Sequence, residues 1–345
     1  MGWLGVDRPA TQKWICPEWG RWDTIRLRHM TQAEPQTIFV IGATGVLGRS
    51  VIPLLRSAGL RVRALARSAV NATRLSEAGA EAVEADLFDP NSLRRATTDT
   101  FAILHLATRI PARNQMSRGG AWADNDRIRS EGTRNVAEAA SANGVQAIVY
   151  PSVCFVYPDH GSGWIDANTS KVTPSSITRS TLEAEDTVSR FAARGGRGIV
   201  LRMGQFYGPE SNQVQEELRL ARWGVATVFG PSDSYRSVIW IQDAASAVVA
   251  ALQHAASGAF DIVDDEPPTN QTWMDNLAAA VGRKRLHRLP QWVVRRAVGP
   301  ELSDILSRSR RVSNCLFKDA TGWRPGVSSV RDGLALCASG CGSQT

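Results

Sequence analysis

The sequence contains few cysteines, and they are not spaced for a metal site or a disulfide framework. Among its 345 residues no CxxC pair and no Cys/His zinc pattern occurs. Reduced thiols are the simplest account of an odd, scattered set, so we expect a cytoplasmic protein that holds no metal. The cysteines are Cys16, Cys154, Cys315, Cys337 and Cys341.

Long apolar runs and blocks of like charge are also missing. Apolar runs such as residues 147–153 are far shorter than the ~20 residues that a membrane span needs. The chain carries 40 Lys and Arg against 33 Asp and Glu, a net charge of +7, without a block of like charges. We therefore expect a small-molecule substrate, with neither a membrane nor nucleic acid as a partner.

The N-terminal segment differs from the rest of the chain in its tryptophan content. Four of the eleven tryptophans lie before the first predicted strand, at spacings that fit neither a helix nor a strand. We predict that residues 1–36 form a flexible extension. An aromatic arm that packs on a partner subunit is the alternative.

A glycine-rich turn lies between a predicted strand, residues 37–41, and an amphipathic helix that runs to about residue 58. In the sequence GATGVLG, the first glycine permits a tight turn and the second lets the backbone approach a pyrophosphate. The third lets the helix pack closely on the strand, and the helix N-terminus offers free N–H groups. The pattern indicates a dinucleotide site, with an unliganded turn as the alternative. Its residues are Gly42, Thr44, Gly45, Val46, Leu47 and Gly48.

The second predicted strand, residues 61–66, ends in Arg67 and Ser68. An NAD site commonly has Asp or Glu at this point to bind the ribose 2′-hydroxyl, whereas a cation and a hydroxyl suit a 2′-phosphate. We therefore predict that NADP(H) is preferred over NAD(H). The alternative is that Arg67 is an ordinary surface residue.

Predicted strands and helices alternate through residue 204. Further strands are expected at residues 81–85, 101–106, 147–153 and 198–203, with helices from about residue 90, over 122–142 and over 179–193. This alternation predicts an α/β fold with a Rossmann-type, doubly wound parallel sheet over residues 37–204. We expect a smaller C-terminal substrate-binding domain over residues 205–338 and a frayed tail over 339–345.

Several segments together resemble the NAD(P)-dependent epimerase/dehydratase family of extended short-chain dehydrogenases/reductases. They include GATGVLG (42–48), LHLAT (104–108), GTRNVAEAA (132–140), LRMGQFYGP (201–209), RSVIWIQDAA (236–245), FDIVDDEP (260–267) and GWRP (322–325). The resemblance implies that Asp86 and Leu87 flank the adenine. It implies that Ala107 and Thr108 line the ribose–phosphate path, and that Met203 closes the nicotinamide pocket.

The resemblance also has implications for the second half of the chain. It implies that Arg236 meets a substrate phosphate, that Tyr207 borders the substrate, and that Asp243 caps the N-terminus of a helix. It further implies a homodimer that forms through the helices at residues 122–142 and 179–193.

The catalytic pattern of that family is incomplete in this sequence. The family has a serine beyond the fifth strand and a Tyr-x-x-x-Lys pair on the next helix, where the tyrosine exchanges a proton and the lysine lowers its pKa and holds the ribose. Here Val153, Ile177 and Thr181 stand at the three positions, and the pair occurs nowhere else. Isoleucine has no proton to give and threonine carries no charge. We expect Ile177 and Thr181 to face one groove, because they lie four residues apart on a predicted helix.

Tyr157 and Ser152, on or just beyond the fifth strand, are the candidates for a replacement acid/base set, with simple packing as the alternative. Three functions stay open. One is an NADP(H)-dependent enzyme with a non-standard acid/base set, acting at a hydroxyl- or carbonyl-bearing carbon of a sugar nucleotide or natural-product intermediate. Another is a non-redox cyclase, dehydratase or isomerase on the same scaffold. The third is a non-catalytic NADP(H) sensor.

Overall fold

The computed structural model describes residues 35–112, 115–118 and 120–340. The predicted N-terminal extension lies outside the described residues up to Glu34, and so do the last five residues of the predicted tail. The chain from Pro35 onward forms one compact unit.

The strands, numbered along the chain, include seven that form the central sheet and six short ones that form three two-stranded ladders. They are β1 (Thr37–Ile41), β2 (Arg61–Ala66), β3 (Glu81–Glu84), β4 (Ala102–His105), β5 (Ala147–Val153), β6 (Trp164–Ile165), β7 (Arg197–Met203), β8 (Gln205–Tyr207), β9 (Val225–Ala226), β10 (Val238–Trp240), β11 (Gly258–Ile262), β12 (His287–Arg288) and β13 (Arg311–Val312).

The α-helices that the structure describes follow or connect these strands. They are α1 (Val46–Ser57), α2 (Ala69–Glu77), α3 (Pro90–Ala96), α4 (Ala123–Arg127), α5 (Thr133–Ala142), α6 (Arg179–Ala193), α7 (Asn212–Arg222), α8 (Ile241–His254), α9 (Asn270–Ala280), α10 (Gln291–Val298), α11 (Pro300–Ser307), α12 (Cys315–Thr321) and α13 (Val330–Gly340).

The central sheet has the order β11-β7-β5-β4-β1-β2-β3, and its neighbouring strands are parallel. The chain builds outward from β1 to β3 and then crosses back to place β4 on the other side of β1. This reversal of direction opens a crevice at the carboxyl ends of β1 and β4, where ligands bind in doubly wound folds. The predicted fold class is confirmed.

Helices cover both faces of the sheet, which explains why its strands are apolar throughout. In β1, Ile38 and Val40 belong to a core shared with α1 and α8, whereas Phe39 and Ile41 belong to a core shared with α3, α5 and α6. Side chains alternate between the two faces along each strand. A third core, around Tyr207 and the helices α7, α9 and α13, lies in the second half of the chain.

The division that we expect after residue 204 stays a prediction, and elements from both sides of it build the central sheet and its helical layers. Strand β11 and helix α8 come from the second half, yet β11 pairs with β7 in the sheet and α8 packs on α1. The sheet therefore takes its last strand from the region that we assigned to the substrate. At the chain end, α13 extends through Gly340, so the first two residues of the predicted tail are helical.

The long helix expected at residues 122–142 is divided by one wide turn. A π-helical turn, Ile128–Gly132, separates α4 from α5. Such turns are rare and are frequently found at functional sites. The turn contains Gly132, where a Cβ would lie 2.9 Å from Cδ2 of Leu87, and it contains the buried Arg129.

Candidate active site

The glycine-rich turn leaves no room for side chains where the backbone must come close. Gly42 has a φ of +84°, and a Cβ there would lie 2.5 Å from the backbone N of Ala107. At Gly48 a Cβ would lie 2.4 Å from the carbonyl oxygen of Gly42. Gly45 begins α1 without a side-chain cap, so the first N–H groups of the helix are available to an anion. Thr44 is half-buried, Val46 is exposed, and Leu47 packs into the core.

The residues predicted for the adenosine end lie at the carboxyl ends of β2 and β3. Arg67 is exposed and directly follows β2. Ser68 caps α2, since its hydroxyl accepts a hydrogen bond from the N–H of Asn71 at 3.3 Å. Asp86 is exposed and accepts from the N–H of Phe88 at 2.9 Å. The N-terminus of α2 and Arg67 thus stand side by side, an arrangement that suits a phosphate.

Leu87 and the residues after β4 form the floor of the crevice. Leu87 is buried, and its carbonyl oxygen accepts a hydrogen bond from Nδ2 of Asn135 at 3.0 Å. Ala107 is half-buried and Thr108 is exposed. Met203, the last residue of β7, is buried against the core that α1 and α8 share. The structure brings all the predicted cofactor residues to one edge of the sheet.

The two candidate acid/base residues lie in a buried polar network. Arg202 of β7 donates from Nη2 and Nε to the carboxylate of Glu185 on α6, at 2.7 and 3.2 Å. Ser152 donates to the same carboxylate. The Tyr157 hydroxyl accepts from Nη1 of Arg202 at 3.0 Å and donates to Asp261 at 2.8 Å. In the sheet, Arg202 of β7 lies between its two register partners, Ser152 on β5 and Asp261 on β11. Three neighbouring strands therefore contribute to this network.

The network explains the ionisation of its members. Burial raises the pKa of Asp261 to about 7, although the hydrogen bond from Tyr157 opposes the shift. Burial and the nearby Asp261 raise the pKa of Tyr157 above its usual range. Tyr157 has no exposed surface, and its proton is engaged by Asp261. The catalytic roles of Tyr157 and Ser152 therefore stay predictions, and the geometry that surrounds them is that of a structural network.

A second buried group centres on Arg129 of the π-helical turn. Its Nη1 donates to the hydroxyl oxygens of Tyr150 on β5 and Thr181 on α6, both at 3.0 Å. Burial, with a contribution from Arg129, lowers the pKa of His105 to about 4, so His105 is neutral near pH 7. The His105 ring lies 5.9 Å from that of Tyr150. Ile177 is half-buried and lies in the turn before α6, not on the helix. The prediction that Ile177 and Thr181 face one groove from the same helix is therefore wrong.

The predicted substrate residues lie in the third core. Tyr207 is buried and donates to Oδ2 of Asp264 at 2.6 Å. The Arg236 guanidinium lies 4.3 Å from the Trp273 ring centroid and donates from Nη2 to Gln205 at 3.2 Å, whereas its Nη1 is buried without a partner. An unpartnered guanidinium nitrogen beside an aromatic ring suits an anionic group.

The predicted capping role of Asp243 is wrong. Trp240 is the N-cap of α8, and Asp243 lies within the first turn of that helix. Its carboxylate accepts from the N–H groups of Gly326 and Val327, both at 2.8 Å. Asp243 therefore ties the two residues that follow the GWRP segment to α8, a contact between residues far apart in the sequence that no local pattern indicates.

In the described part of the chain, none of the helices is both long enough and apolar enough to cross a membrane. Within the same residues, no cluster of three or more His, Cys, Asp or Glu is placed to hold a metal ion.

The crevice, its glycine cradle and the covering helices define an enzyme fold that binds a dinucleotide. The profile of the NAD dependent epimerase/dehydratase family matches residues 38–263. The chain belongs to that family, and it is an NAD(P)-dependent enzyme of the oxidoreductase/epimerase type.

Two of the proteins that resemble this chain are named as reductases. The chain is 30% identical over 305 residues to a 3-diazoavenalumate denitrifying reductase of Streptomyces, with 86% of this chain and 98% of the relative covered. It is 28% identical over 283 residues to a 2-alkyl-3-oxoalkanoate reductase of Shewanella oneidensis, with 75% and 70% covered. A structure of a human epimerase family protein with NADPH superimposes with a TM-score of 0.76 at 20% identity, covering 88% of this chain and 99% of that one.

The sequence did not indicate which residues pair with the buried charged groups. Glu185 and Arg202 lie on elements that we predicted, but nothing in their spacing indicated that they meet. Asp261 comes from β11, whose place in the sheet was not expected. Arg129 carried one usable signal, since a charged residue breaks the apolar face of an otherwise amphipathic helix.

We expect Gly45→Val to abolish NADPH binding while the fold is kept. The backbone at Gly45 has a φ of −74°, which valine adopts, but the new side chain would stand before the free N–H groups of α1. Isothermal calorimetry measures the affinity, and circular dichroism checks the fold. Ala58→Val, at the exposed C-terminal end of the same helix, is the matched control and should bind normally. A Gly45→Val variant that binds within about threefold of the wild type would show that the turn does not hold phosphate.

We expect Asp261→Asn to reduce the pH dependence of stability. The pKa of Asp261 is about 7 in the folded protein and lower in the unfolded chain. The stabilising effect of the protonated carboxyl is therefore complete below about pH 4 and is lost as the pH rises through about 7. Relative to the wild type, the variant should gain on the order of 4 kcal/mol in unfolding free energy between pH 4 and pH 8, because the folded and unfolded pKa values differ by about three units.

Urea denaturation at a series of pH values measures this difference. Asp304→Asn, on the surface of α11, is the control and should leave the pH profile unchanged. Parallel profiles of the wild type and Asp261→Asn would contradict the assignment of a raised pKa to Asp261.

Proposed function

We propose that this protein is an NADP(H)-dependent reductase that transfers hydride to a small electrophilic substrate with a non-standard acid/base set. One observation carries the proposal. A complete dinucleotide cradle lies beside a site in which Ile177 and Thr181 occupy the positions of the proton-donating tyrosine and its lysine. The two relatives reported above, both named as reductases, support hydride transfer over a sensor or a non-redox activity.

The residues of the crevice fit the cofactor. Bound NADPH would supply hydride at the open side of the nicotinamide. Gly42 and Gly48 lie where a Cβ would strike backbone atoms, and Gly45 leaves the first N–H groups of α1 free for a pyrophosphate. Arg67 and the capped N-terminus of α2 would hold the 2′-phosphate.

The missing proton donor restricts the substrate class. Reduction of an aryl diazonium breaks the C–N bond, whose electron pair leaves with N2, while hydride forms the new C–H bond. This reaction balances without a proton from the protein, so a site without the tyrosine suffices. The name of the Streptomyces relative, which specifies a diazo compound and a denitrifying reduction, supports an aromatic diazo substrate for this chain.

Carbonyl reduction is the second candidate, and the name of the Shewanella relative, an oxoalkanoate reductase, supports it. This reaction requires a proton on the new hydroxyl oxygen. Ser152 and Tyr157 would then be the acid/base residues. Either hydroxyl would first have to leave its carboxylate partner, Glu185 or Asp261, to reach a substrate.

The substrate pocket favours a negatively charged molecule. Nη1 of Arg236 is buried without a partner, beside Trp273. A carboxylate or phosphate at this point would complete the hydrogen bonding of the guanidinium. Trp273 and Tyr207 are fully buried and would support Arg236 from inside the core.

We expect Arg67→Ala to weaken NADPH binding at least about tenfold while NADH binding changes little. The reason is the loss of a charge-assisted hydrogen bond to the 2′-phosphate, which is worth roughly 1.5–3 kcal/mol. Calorimetric titration of both cofactors is the test. Arg61→Ala, at the amino end of the same strand, is the matched control. Equal losses for the two cofactors would place Arg67 elsewhere than at the 2′-phosphate.

Two probes that share a benzoate ring test the reaction. With NADPH deuterated at the transferable C4 position, 4-diazoniobenzoate should give benzoate labelled on the ring, and the rate should show no solvent isotope effect. We expect 4-formylbenzoate, which has the same ring and carboxylate but needs a proton, to react at least about 100-fold more slowly. Gly45→Val, which lacks the cofactor site, corrects for uncatalysed reduction.

The alternative outcomes are distinct. Faster reduction of 4-formylbenzoate, with a solvent isotope effect and a loss in Tyr157→Phe or Ser152→Ala, would favour the second candidate. Bound NADPH with no label in either product would contradict reduction of both substrate classes.

A further inference from the structure

The structure offers a replacement for the charge of the missing lysine. We propose that Arg129 supplies, through the hydroxyl of Thr181, the positive charge that the family pattern places at position 181. In this role Arg129 is a positioning residue that favours the reduced nicotinamide over the oxidised one. The inference rests on the proposed binding of NADP(H) and deepens it, because it concerns which form of the cofactor the site prefers.

The charge of Arg129 is not balanced within the described part of the chain. Arg129 is 5% exposed, its hydrogen bonds to described residues leave from Nη1, and its Nε is buried without a partner. No described carboxylate forms an ion pair with it. Arg202 is 7% exposed and shows the usual solution, since Glu185 holds it with two hydrogen bonds. An unpaired buried cation is costly, so its retention points to an electrostatic role.

Arg129 lies where the lysine would act. Its Nη1 is 3.0 Å from Oγ1 of Thr181, so the charge stands one hydrogen bond from the lysine position. The same nitrogen donates to the hydroxyl of Tyr150 on β5. Strand β5 is the neighbour of β4, one of the two strands whose carboxyl ends form the crevice. The π-helical turn brings this side chain inward between β5 and α6. His105, beside Tyr150, is neutral near pH 7 and does not contribute a second charge.

The contact gives Thr181 a defined task. Because its oxygen accepts a hydrogen bond from a cation, the hydroxyl becomes a better donor, here toward the hydroxyl groups of the nicotinamide ribose. The positive charge also acts over a longer distance. In a buried environment of low dielectric constant it would repel the positively charged nicotinamide ring of NADP⁺ and would not repel the uncharged dihydronicotinamide ring of NADPH. The wild-type protein should therefore bind NADPH more tightly than NADP⁺.

Calorimetric affinities for NADPH and NADP⁺ test the proposal without any substrate. Arg129→Gln keeps a hydrogen-bonding side chain without the charge, and it should reduce the preference for NADPH at least about tenfold. Arg129→Lys keeps the charge and should stay within about threefold of the wild-type preference. Thr181→Lys alone places two cations together and should weaken the binding of both forms.

The double variant Arg129→Gln with Thr181→Lys is the decisive one. It moves the charge back to the family's position and should restore the preference for NADPH to within about threefold of the wild type. A residue that only filled space would give no such rescue, and its loss would lower the melting temperature without changing the ratio of the two affinities. Arg202→Gln is the control for a buried arginine with a partner, and it should reduce stability.

The failure of this inference differs from that of the proposed function. A wild-type protein that binds neither NADPH nor NADP⁺ would refute cofactor binding itself. Binding of both forms with a ratio that Arg129→Gln leaves unchanged would overturn the role of Arg129 alone. If Arg129→Gln does not fold, the preference in the folded double variant decides: wild-type preference supports the proposal, and its absence refutes it.

Discussion

The close approach of backbone to backbone at the end of β1 determines where the site forms. A Cβ at Gly42 would lie 2.5 Å from the N of Ala107, and one at Gly48 would lie 2.4 Å from the oxygen of Gly42. The turn therefore packs directly on the continuation of β4, and α1 begins at the crevice between the two strands. Because the first N–H groups of α1 point to the carboxyl edge of the sheet, the anion site and the strand ends occupy one rim.

Two buried arginines on this side of the sheet illustrate two uses of charge. Arg202 is neutralised by Glu185, and with Ser152, Tyr157 and Asp261 it links three strands to α6. A pair of this kind adds little stability compared with apolar packing, but removing one partner leaves a costly buried charge. Among the described residues Arg129 has no carboxylate partner, and it instead donates to the hydroxyl oxygens of Tyr150 and Thr181. The contrast separates a charge that holds the structure from one that is available for function.

The fold could be predicted well because its signals are local. Apolar runs predicted β2 and β5 with the observed bounds, and a helical pattern predicted those of α6. The glycine-rich turn at Gly42 predicted the junction between β1 and α1. The position of β11 could not be predicted, since strand order depends on contacts between distant segments. For the same reason the partners of Tyr157 were missed: Asp261 lies 104 residues away and Arg202 lies 45 away. A tyrosine expected at a pocket is thus found inside a network.

In the proposed reaction, the absence of the tyrosine and the presence of a buried positive charge have separate physical explanations. A tyrosine is needed only when the product oxygen must receive a proton, and a substrate that loses a neutral leaving group would have no such need. The cation would serve a different purpose, because it would act on the relative stability of the two cofactor forms whatever the substrate is. Under this proposal Arg129, which donates a hydrogen bond to Thr181 from another helix, would separate two functions that one Tyr-x-x-x-Lys pair combines.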